Sequence, residues 1–378
     1  MRIVVFTCNY PPLINPRSFR IEKFVKLNSG EHEILIITSP IDESIQNEKN
    51  VIRCGLQMNW DSAFRNSLKK YSFLRFLHKL IWPDDKILHP FLYLMNYLFK
   101  YRQKNDLIIT VSNPFSSHLI GLVLKKIFKQ RWTADIGDIY FGNQHFSFLS
   151  KFLERIILKS ADHIVVNSNS LQEHFISHYN LSRDIFSVIP NGIHLNASKI
   201  KHIPSPIIRI SFIGNTYPET REAITELNIL IELAKMDLER KICIQLYGNQ
   251  FYKVQLFAKK YPELVQIRFC KNELELMDAY SNTDILINFA NKNNPGLPSK
   301  LEEYLATGLP ILNFIYSKTD PSFIFLNNHK AYVHHVNLNS PDLKLLNYFI
   351  QQNNGKQQIN PASQDEQIKN SWQTLFRS

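Results

Sequence analysis

The stretch DILINFANKNNPGLPSKLEEYLATGLPILNFI, residues 284–315, decides the fold of this chain. It contains two short and almost continuous apolar runs, residues 285–289 and residues 311–315, separated by a polar loop and a segment with a helical pattern. Apolar runs of this length are typical of strands that are buried on both faces of a parallel sheet. The stretch therefore predicts strand, loop, helix and strand, which is the unit with which open α/β sheets hold phosphorylated ligands.

The helix of this unit has a start signal and a stop signal. Ser299 and Glu302 have the spacing of a capping box, which predicts a helix that begins near Lys300. We expect Gly308 to end the helix in the left-handed conformation, and Pro310 prevents its continuation. The free N–H groups and the positive end of the helix dipole would then face the carboxyl ends of the strands, where an anion binds.

Length and composition indicate a globular protein of two domains. The chain has 378 residues, of which 44% are hydrophobic. No apolar run reaches the roughly 18 residues expected of a membrane-spanning helix. The pattern predicts an α/β fold with Rossmann-like domains at residues 1–194 and 207–362, joined by a polar linker at residues 195–206. A C-terminal helix at residues 363–378 is a candidate to pack back on the first domain.

The positive charge of the chain is concentrated in its first half. The formal net charge is +11, and residues 1–190 hold 24 Lys and Arg against 16 Asp and Glu. Such a surface favours anionic partners, whether sugar nucleotide, lipid phosphate, anionic membrane or nucleic acid. The cysteines are scattered without a CxxC pair, which argues against a disulfide scaffold or a zinc site. The apolar run at residues 3–6 is too short for a signal peptide, so a cytoplasmic location is expected.

A basic segment at residues 62–104 departs from the α/β pattern. Apolar and aromatic residues alternate there, at roughly helical spacing, with Arg65, Lys69, Lys70, Arg75 and Lys79. One interpretation is an amphipathic helix that lies on an anionic membrane, in which case the acceptor would be lipid-linked and the protein would work at the inner face of the cytoplasmic membrane. The other is a helix packed on the domain, with its lysine side chains extending into solvent.

The motif PSKLEEYLATGLP, Pro298–Pro310, resembles the donor-binding signature of the nucleotide-sugar glycosyltransferases with the GT-B fold. The resembled group is the retaining family 4, also called glycosyl transferases group 1, of bacterial surface-polysaccharide synthesis. The runs ADHIVVNS, residues 161–168, and VIPNGI, residues 188–193, are similar to the passage out of the first domain in that family. The resemblance implies an acceptor-binding and a donor-nucleotide-binding domain that face each other across a cleft. It also implies retention of configuration and no metal or other cofactor, with the nucleotide-diphosphate sugar as co-substrate.

This resemblance implies functional roles for several residues of the predicted second domain. A glutamate at the position of Glu303 accepts hydrogen bonds from the ribose hydroxyls of the donor, and a second acid usually stands where this chain has Pro295. Basic residues just after a glycine at the position of Gly214 hold the donor phosphates in the family. Asn215 stands at the first of these basic positions, and Arg221 is the candidate for the second. We expect Arg221 at the start of a helix, where a phosphate would also meet free N–H groups. The alternative interpretation of Arg221 is an ordinary helix residue.

Candidate residues also occur in the first domain. Arg17 and Arg20 follow a Tyr-Pro-Pro loop that lies over the donor diphosphate in the resembled family, and they are either phosphate contacts or solvated helix residues. The run ADIGD ends at Asp138 and resembles a DxRD motif of some members, with Gly137 at the place of the arginine. Asp138 is expected either to orient an acceptor hydroxyl or to cap a helix.

Lys300 lies in the first turn of the predicted helix, where a positive charge is unfavourable unless an anion is near. That anion would be a ligand phosphate, the side chain of Glu302 or Glu303, or a carboxylate from the other domain. The predicted catalytic residues are Asp138, Arg221 and Lys300. The predicted donor-binding residues, which include loop positions expected near the nucleobase, are Arg17, Gly214, Asn215, Arg221, Gly248, Asn272, Pro298, Ser299, Lys300, Leu301 and Glu303.

Two hypotheses for the function follow. The main one is a glycosyltransferase that moves a sugar from a nucleotide-diphosphate donor to a glycan or polyprenyl-linked acceptor of a capsule or lipopolysaccharide, with the leaving diphosphate stabilised electrostatically. The alternative is a catalytically degenerate relative that serves as a binding partner in a glycan assembly complex, as the departures at Gly137, Asn215 and Pro295 suggest. Nucleic-acid binding is disfavoured because the chain has no recognised reading motif.

Overall fold

The computed structural model describes residues 1–13, 15–40, 49–54, 89–140, 148–193, 200–218, 220–236, 239–292, 296–327, 332–356 and 365–377. Residues 62–88 of the basic segment, linker residues 195–199 and Pro295 therefore lie outside the described residues. By its internal contacts the chain divides into two units. The first comprises residues 1–192 and 364–378, and the second comprises residues 193–363.

The described part of the first unit is a parallel sheet covered by helices. Its strands are β1 Arg2–Phe6, β2 Glu33–Thr38, β3 Val51–Arg53, β4 Leu107–Val111, β5 Arg131–Ile136, β6 His163–Val166 and β7 Phe186–Val188. Its helices are α1 Pro16–Asn28, α2 His89–Asn96 with a π-helical turn at Tyr97–Tyr101, α3 Ser117–Phe128, α4 Phe148–Ser160 and α5 Asn169–Tyr179. The strand order is β3-β2-β1-β4-β5-β6-β7, and all the neighbouring strands run parallel. This is the doubly wound arrangement of a Rossmann-like domain.

The second unit has the same architecture. Its described strands are β8 Ile208–Ile213, β9 Ile242–Tyr247, β10 Val265–Arg268, β11 Ile285–Asn288, β12 Ile311–Ile315 and β13 Val333–Asn337. Its helices are α6 Ile224–Ala234, α7 Tyr252–Lys260, α8 Glu273–Ser281, α9 Lys300–Thr307, α10 Pro321–Asn327 and α11 Leu343–Asn353. The strands lie in the order β10-β9-β8-β11-β12-β13, again all parallel. The predicted α/β fold of two Rossmann-like units is confirmed.

The C-terminal helix, α12 Asp365–Arg377, belongs to the first unit. Trp372 of this helix packs edge-on against Phe24 of α1, with the ring centroids 4.7 Å apart. Lys23 and Asp365 form an ion pair at 2.6 Å between the same two helices. Apolar burial and this ion pair therefore hold the last residues of the chain against its first helix.

Residues 284–315 form the predicted unit of strand, loop, helix and strand. Helix α9 begins at Lys300, and Gly308 ends it with φ of +68°. The predicted capping box is wrong, however, because Ser299 already has helical backbone angles and its side chain makes no capping hydrogen bond. A side-chain cap requires an extended residue before the first turn. In its place the carbonyl of Pro298 accepts a hydrogen bond from the N–H of Leu301 at 3.1 Å.

Within the described ranges, no helix combines the length and the apolar character needed to cross a bilayer.

Candidate active site

The loops that follow β8 and β9 in the second unit interlock at two predicted positions. The backbone N–H of Asn249 donates to Oδ1 of Asn215 at 2.8 Å. Gly248 has φ of +108°, and a Cβ there would lie 2.7 Å from the carbonyl oxygen of Gly214. Gly248 must therefore be glycine both for its backbone conformation and for this close approach. The Asn215 side chain, which also donates to Tyr217 at 3.3 Å, fixes the loop geometry.

Arg221 is a half-buried cation with no carboxylate partner among the described residues. Among the residues that the structure describes, no carboxylate lies within ion-pair distance of it, and its Nε donates to Oδ1 of Asn291 at 2.8 Å. Its guanidinium carbon lies 6.0 Å from the ring centroid of Phe212. Burial lowers the pKa of Arg221, although the side chain stays charged because guanidinium is so weak an acid. An unpaired, half-buried cation favours the binding of an anion.

The position of Arg221 differs from the prediction. It lies in the loop before α6 rather than in the first turn of a helix, since α6 begins at Ile224 after Ala223 in the left-handed conformation. This loop is held by backbone hydrogen bonds between Tyr217 and Arg221. A loop and an asparagine side chain therefore position the guanidinium, instead of a helix face.

Two carboxyl groups near Arg221, a buried one and a half-buried one, were missed by the sequence analysis. Glu226 is 3% exposed, and burial raises the pKa of its carboxyl to about 7 although the backbone of Ala290 hydrogen-bonds to it. Burial also raises the pKa of Asp320, whose Oδ1 accepts hydrogen bonds from the backbone and the hydroxyl of Ser322. The signal for Glu226 was an acid on the apolar face of ITELNILIELA, whereas nothing in the sequence marked Asp320.

Lys300 and Glu303 form an ion pair on α9, with Nζ and Oε2 separated by 2.8 Å. The pairing alternative for Lys300 is thus realised in the structure, with Glu303 as the partner. The same Oε2 accepts a hydrogen bond from the hydroxyl of Tyr280 at 3.0 Å. Glu303 is only 6% exposed, and no described residue donates to its Oε1. A buried carboxylate with one free oxygen can accept hydrogen bonds from a hydroxyl ligand.

The remaining predicted donor contacts have local structural roles. Leu301 is fully buried in the apolar core under α9, so its side chain does not face a ligand. The backbone of Pro298 and Ser299 forms the first turn of α9. Asn272 caps α8, where its Oδ1 accepts from the N–H of Glu275 at 2.9 Å. Of the predicted set in this unit, the structure brings Gly214, Asn215 and Gly248 together and pairs Lys300 with Glu303.

In the first unit, Arg17 and Asp138 are brought together. Nη2 of Arg17 lies 3.0 Å from Oδ2 of Asp138, which is half exposed. The Arg17 side chain is 12% exposed, and its Nη1 is buried without a hydrogen-bond partner among the described residues. A Cβ at Gly137 would lie 1.6 Å from Nη2 of Arg17, so the guanidinium occupies the space beside this glycine. The solvated alternative for Arg17 is therefore wrong, because the side chain is packed against β5.

Arg20 is an internal structural residue, and both predicted alternatives for it are wrong. Its side chain is 2% exposed and makes two hydrogen bonds to Asp135, at 2.8 and 3.0 Å. Its Nη1 also donates to the carbonyls of Ile189 and Pro190. All three donor nitrogens are thus bonded within the protein, and Arg20 ties α1 to β5 and to the segment after β7.

A family model described as Glycosyltransferase Family 4 matches residues 26–197 of the chain. An uncharacterised glycosyltransferase of Methanocaldococcus jannaschii is 23% identical over 340 residues, which cover 85% of this chain and 82% of that protein. Both relationships point to the same class of protein.

Solved structures share the fold over the full length. The S. aureus protein TarM has a TM-score of 0.64 at 10% identity, with 100% of this chain and 99% of that chain covered. Anabaena HepE, solved in complex with UDP-glucose, has a TM-score of 0.59 at 13% identity, with 100% of both chains covered. At these identities the similarity establishes the fold alone.

Proposed function

We propose that this chain is a GT-B glycosyltransferase of the family 4 type, and that it transfers a sugar from a nucleotide-diphosphate donor to a hydroxyl of a glycan or polyprenyl-linked acceptor. The donor binds to the second unit, and configuration at the sugar carbon is retained. The product belongs to a bacterial surface polysaccharide, such as a capsule or lipopolysaccharide.

The observation that carries the proposal is the unpaired guanidinium of Arg221. A diphosphate supplies the anion that this half-buried cation lacks, and charge-assisted hydrogen bonds to phosphate are among the strong ones in proteins. During transfer, negative charge develops on the leaving diphosphate, so Arg221 stabilises the transition state more than the ground state. An oxygen of the leaving diphosphate accepts the acceptor proton, so the reaction needs no side chain as general base.

Glu303 binds the ribose of the donor. Its Oε1 accepts from no described residue, and ribose hydroxyls are donors that match a free carboxylate oxygen. Lys300 exchanges its contact with Glu303 for a donor phosphate when the nucleotide binds. A lysine side chain can make this exchange because it is long and has rotatable donors.

In the first unit, Arg17 and Asp138 act on the acceptor side of the reaction. Asp138 is half exposed and orients the acceptor hydroxyl, while Arg17 holds the carboxylate in place at 3.0 Å.

Nucleotide binding tests the donor site. Because HepE was solved with UDP and with UDP-glucose, UDP is the first nucleotide for calorimetric titration, followed by GDP, CDP and ADP. We expect Arg221→Met to weaken binding of the preferred nucleotide by about 10-fold or more, since hydrogen bonds to charged groups contribute about 1.5–3 kcal/mol. Lys259→Met removes the same charge from an exposed position of α7 and is the matched control. Equal affinities for the two variants would contradict the phosphate role of Arg221.

A non-catalytic binding partner is the second candidate, and the engagement of Asn215 in the loop hydrogen bond favours it, because no basic side chain stands there. Release of nucleoside diphosphate from a nucleotide sugar, measured with bacterial membranes as the source of acceptor, separates the two candidates. Nucleotide binding without any release, across UDP-, GDP-, CDP- and ADP-sugars, would favour the binding partner.

The basic segment at residues 62–104 contacts an anionic membrane. Its described part carries the exposed aromatic side chains of Phe91 and Phe99, which are 60% and 78% exposed. Exposed aromatic rings beside basic residues are typical of surfaces that enter the lipid headgroup layer. Flotation with phosphatidylglycerol vesicles, compared with neutral phosphatidylcholine vesicles, tests this contact. Equal recovery with both vesicles would contradict it.

A further inference from the structure

The carboxylate of Glu303 is held asymmetrically. Both of its protein hydrogen bonds reach Oε2, from the Tyr280 hydroxyl at 3.0 Å and from Nζ of Lys300 at 2.8 Å. A carboxylate oxygen has two lone pairs, so these two donors saturate Oε2. The acceptor capacity that remains on Glu303 therefore lies on Oε1.

Tyr280 is the rigid member of this arrangement. It lies near the end of α8, is fully buried, and packs edge-on against Tyr304 with the ring centroids 6.2 Å apart. The hydroxyl of Tyr304 in turn accepts from the N–H of Ile213 at 2.9 Å, at the end of β8. The Tyr280 hydroxyl is thus carried by a different helix from Glu303, and its ring packs against Tyr304 of α9, whose own hydroxyl is bonded to the end of β8.

Lys300 cannot hold Oε2 of Glu303 in a fixed position in the same way. It stands three residues before Glu303 on the same helix, and its side chain is 24% exposed and has a flexible stem. A donor phosphate would compete for its ammonium group. If Lys300 moves to the phosphate, Tyr280 is the described donor that still fixes Oε2.

We propose that Tyr280 is a positioning residue, which holds Oε2 of Glu303 and thereby presents Oε1 to the two vicinal hydroxyls of the donor ribose. The inference rests on the proposed function, because it takes the ligand of Glu303 to be a ribonucleotide. Two lone pairs on Oε1 match the two hydroxyls of a ribose. Burial raises the pKa of the Tyr280 hydroxyl well above its usual value, so the group stays a protonated donor at any working pH.

The test compares UDP with 2′,3′-dideoxy-UDP in calorimetric titrations of the wild type and Tyr280→Phe. The wild type should bind UDP about 10-fold or more tightly than the dideoxy analogue, because the hydroxyls bond to a charged acceptor. Tyr280→Phe should reduce this ratio to about 2-fold, through weaker binding of UDP and unchanged binding of the analogue. Tyr348→Phe, at an exposed position of α11, is the matched control and should keep the wild-type ratio.

A merely structural role of Tyr280 predicts a different result. Loss of folding alone would weaken the binding of UDP and of the analogue equally. If the ratio of the two affinities is unchanged in Tyr280→Phe, the proposal is overturned. Glu303→Asp provides a second variant, because it keeps the charge but shortens the side chain by one methylene and breaks the bond to Tyr280. This variant should lose the same discrimination, and retention of the ratio there also overturns the proposal.

Failure of the proposed function gives a distinct outcome. If the wild type binds none of the four nucleoside diphosphates, the donor site itself is wrong. If the wild type binds one of them with ribose discrimination and Tyr280→Phe leaves that discrimination intact, the donor site stands and only the role of Tyr280 is overturned. When the preferred nucleotide is not UDP, its own dideoxy analogue replaces 2′,3′-dideoxy-UDP.

Discussion

The guanidinium of Arg17 lies 3.0 Å from the carboxylate of Asp138, and it fills the space that a side chain at Gly137 would need. A cation therefore stands beside Asp138 although the run ADIGD contains none. It comes from α1, which is 121 residues away along the chain. The glycine and the arginine depend on each other in this arrangement.

Gly137→Ala should displace this guanidinium. An ideal Cβ would lie 1.6 Å from Nη2 of Arg17, and the end of a long side chain moves at little cost, so we expect unfolding free energy to fall by less than about 1 kcal/mol. Nucleoside diphosphate release should fall about 10-fold, because a misplaced group near the reacting atoms is costly for catalysis. The double variant with Arg17→Met should be no slower than Arg17→Met alone. Independent, multiplicative losses would contradict the coupling.

The two arginines of α1 should differ in their effect on stability. Arg20→Met leaves Asp135 buried without its partner, which should lower the unfolding free energy by about 3–5 kcal/mol. Arg17→Met leaves a half-exposed Asp138, so the loss should stay below about 1 kcal/mol. Urea denaturation measures both. Similar losses for the two variants would contradict the assignment of Arg20 to structure and Arg17 to the site.

Gly121→Ala should destabilise the first unit by overpacking. A Cβ there would lie 2.0 Å from Nε1 of Trp132, and this fully buried indole donates to the hydroxyl of Thr110 at 2.8 Å. We expect a loss of about 1–3 kcal/mol in urea denaturation. Gly30→Ala is the matched control, since its Cβ would meet no atom within 4 Å. A loss for Gly121→Ala no larger than that of the control would refute this packing.

His118 should make stability fall in mild acid. The ring is completely buried, its nitrogens bond to Thr110 at 2.8 Å and Ser112 at 2.7 Å, and burial lowers its pKa to about 3. Between pH 6.5 and this value the unfolded chain binds a proton that the folded chain does not. The contribution of His118 to the free energy of unfolding is therefore fully present above pH 6.5. It decreases by about 1.4 kcal/mol per pH unit as the pH falls from 6.5 toward the lowered pKa.

A His118→Gln variant isolates this contribution, because other titrating groups are common to both proteins. The wild type should be the more stable protein at pH 7.5, and its advantage should shrink steadily from pH 6.5 to pH 5 in urea denaturation. An advantage that stays constant over this range would mean that His118 carries a proton in the folded state.

The sequence predicted those features that depend on neighbouring residues. The strands at residues 285–288 and 311–315 are buried apolar runs, and the end of α9 at Gly308 follows from the left-handed conformation that glycine adopts easily. The predicted capping box does not form because Ser299 adopts helical rather than extended backbone angles, which the spacing of Ser299 and Glu302 did not reveal.

Features that depend on distant partners could not be predicted. Asp135 lies 115 residues from Arg20, and an arginine on a helix gives no sign in the sequence that it is buried. Tyr280 and Glu303 are on different helices, so only the fold brings the hydroxyl to the carboxylate. Arg221 was found through a family pattern, but the lack of an ion pair between it and any described carboxylate is a property of the folded loop.

The packing of α12 on α1 affects how the protein folds during synthesis. Phe24 is translated early, but its partner Trp372 follows only after all of the second unit has been made. The first unit therefore emerges from the ribosome with an apolar face of α1 uncovered until α12 has been made. A chaperone that shields this face, or a ribosome stalled before residue 365, would act on the first unit although the missing residues follow the second unit in the sequence.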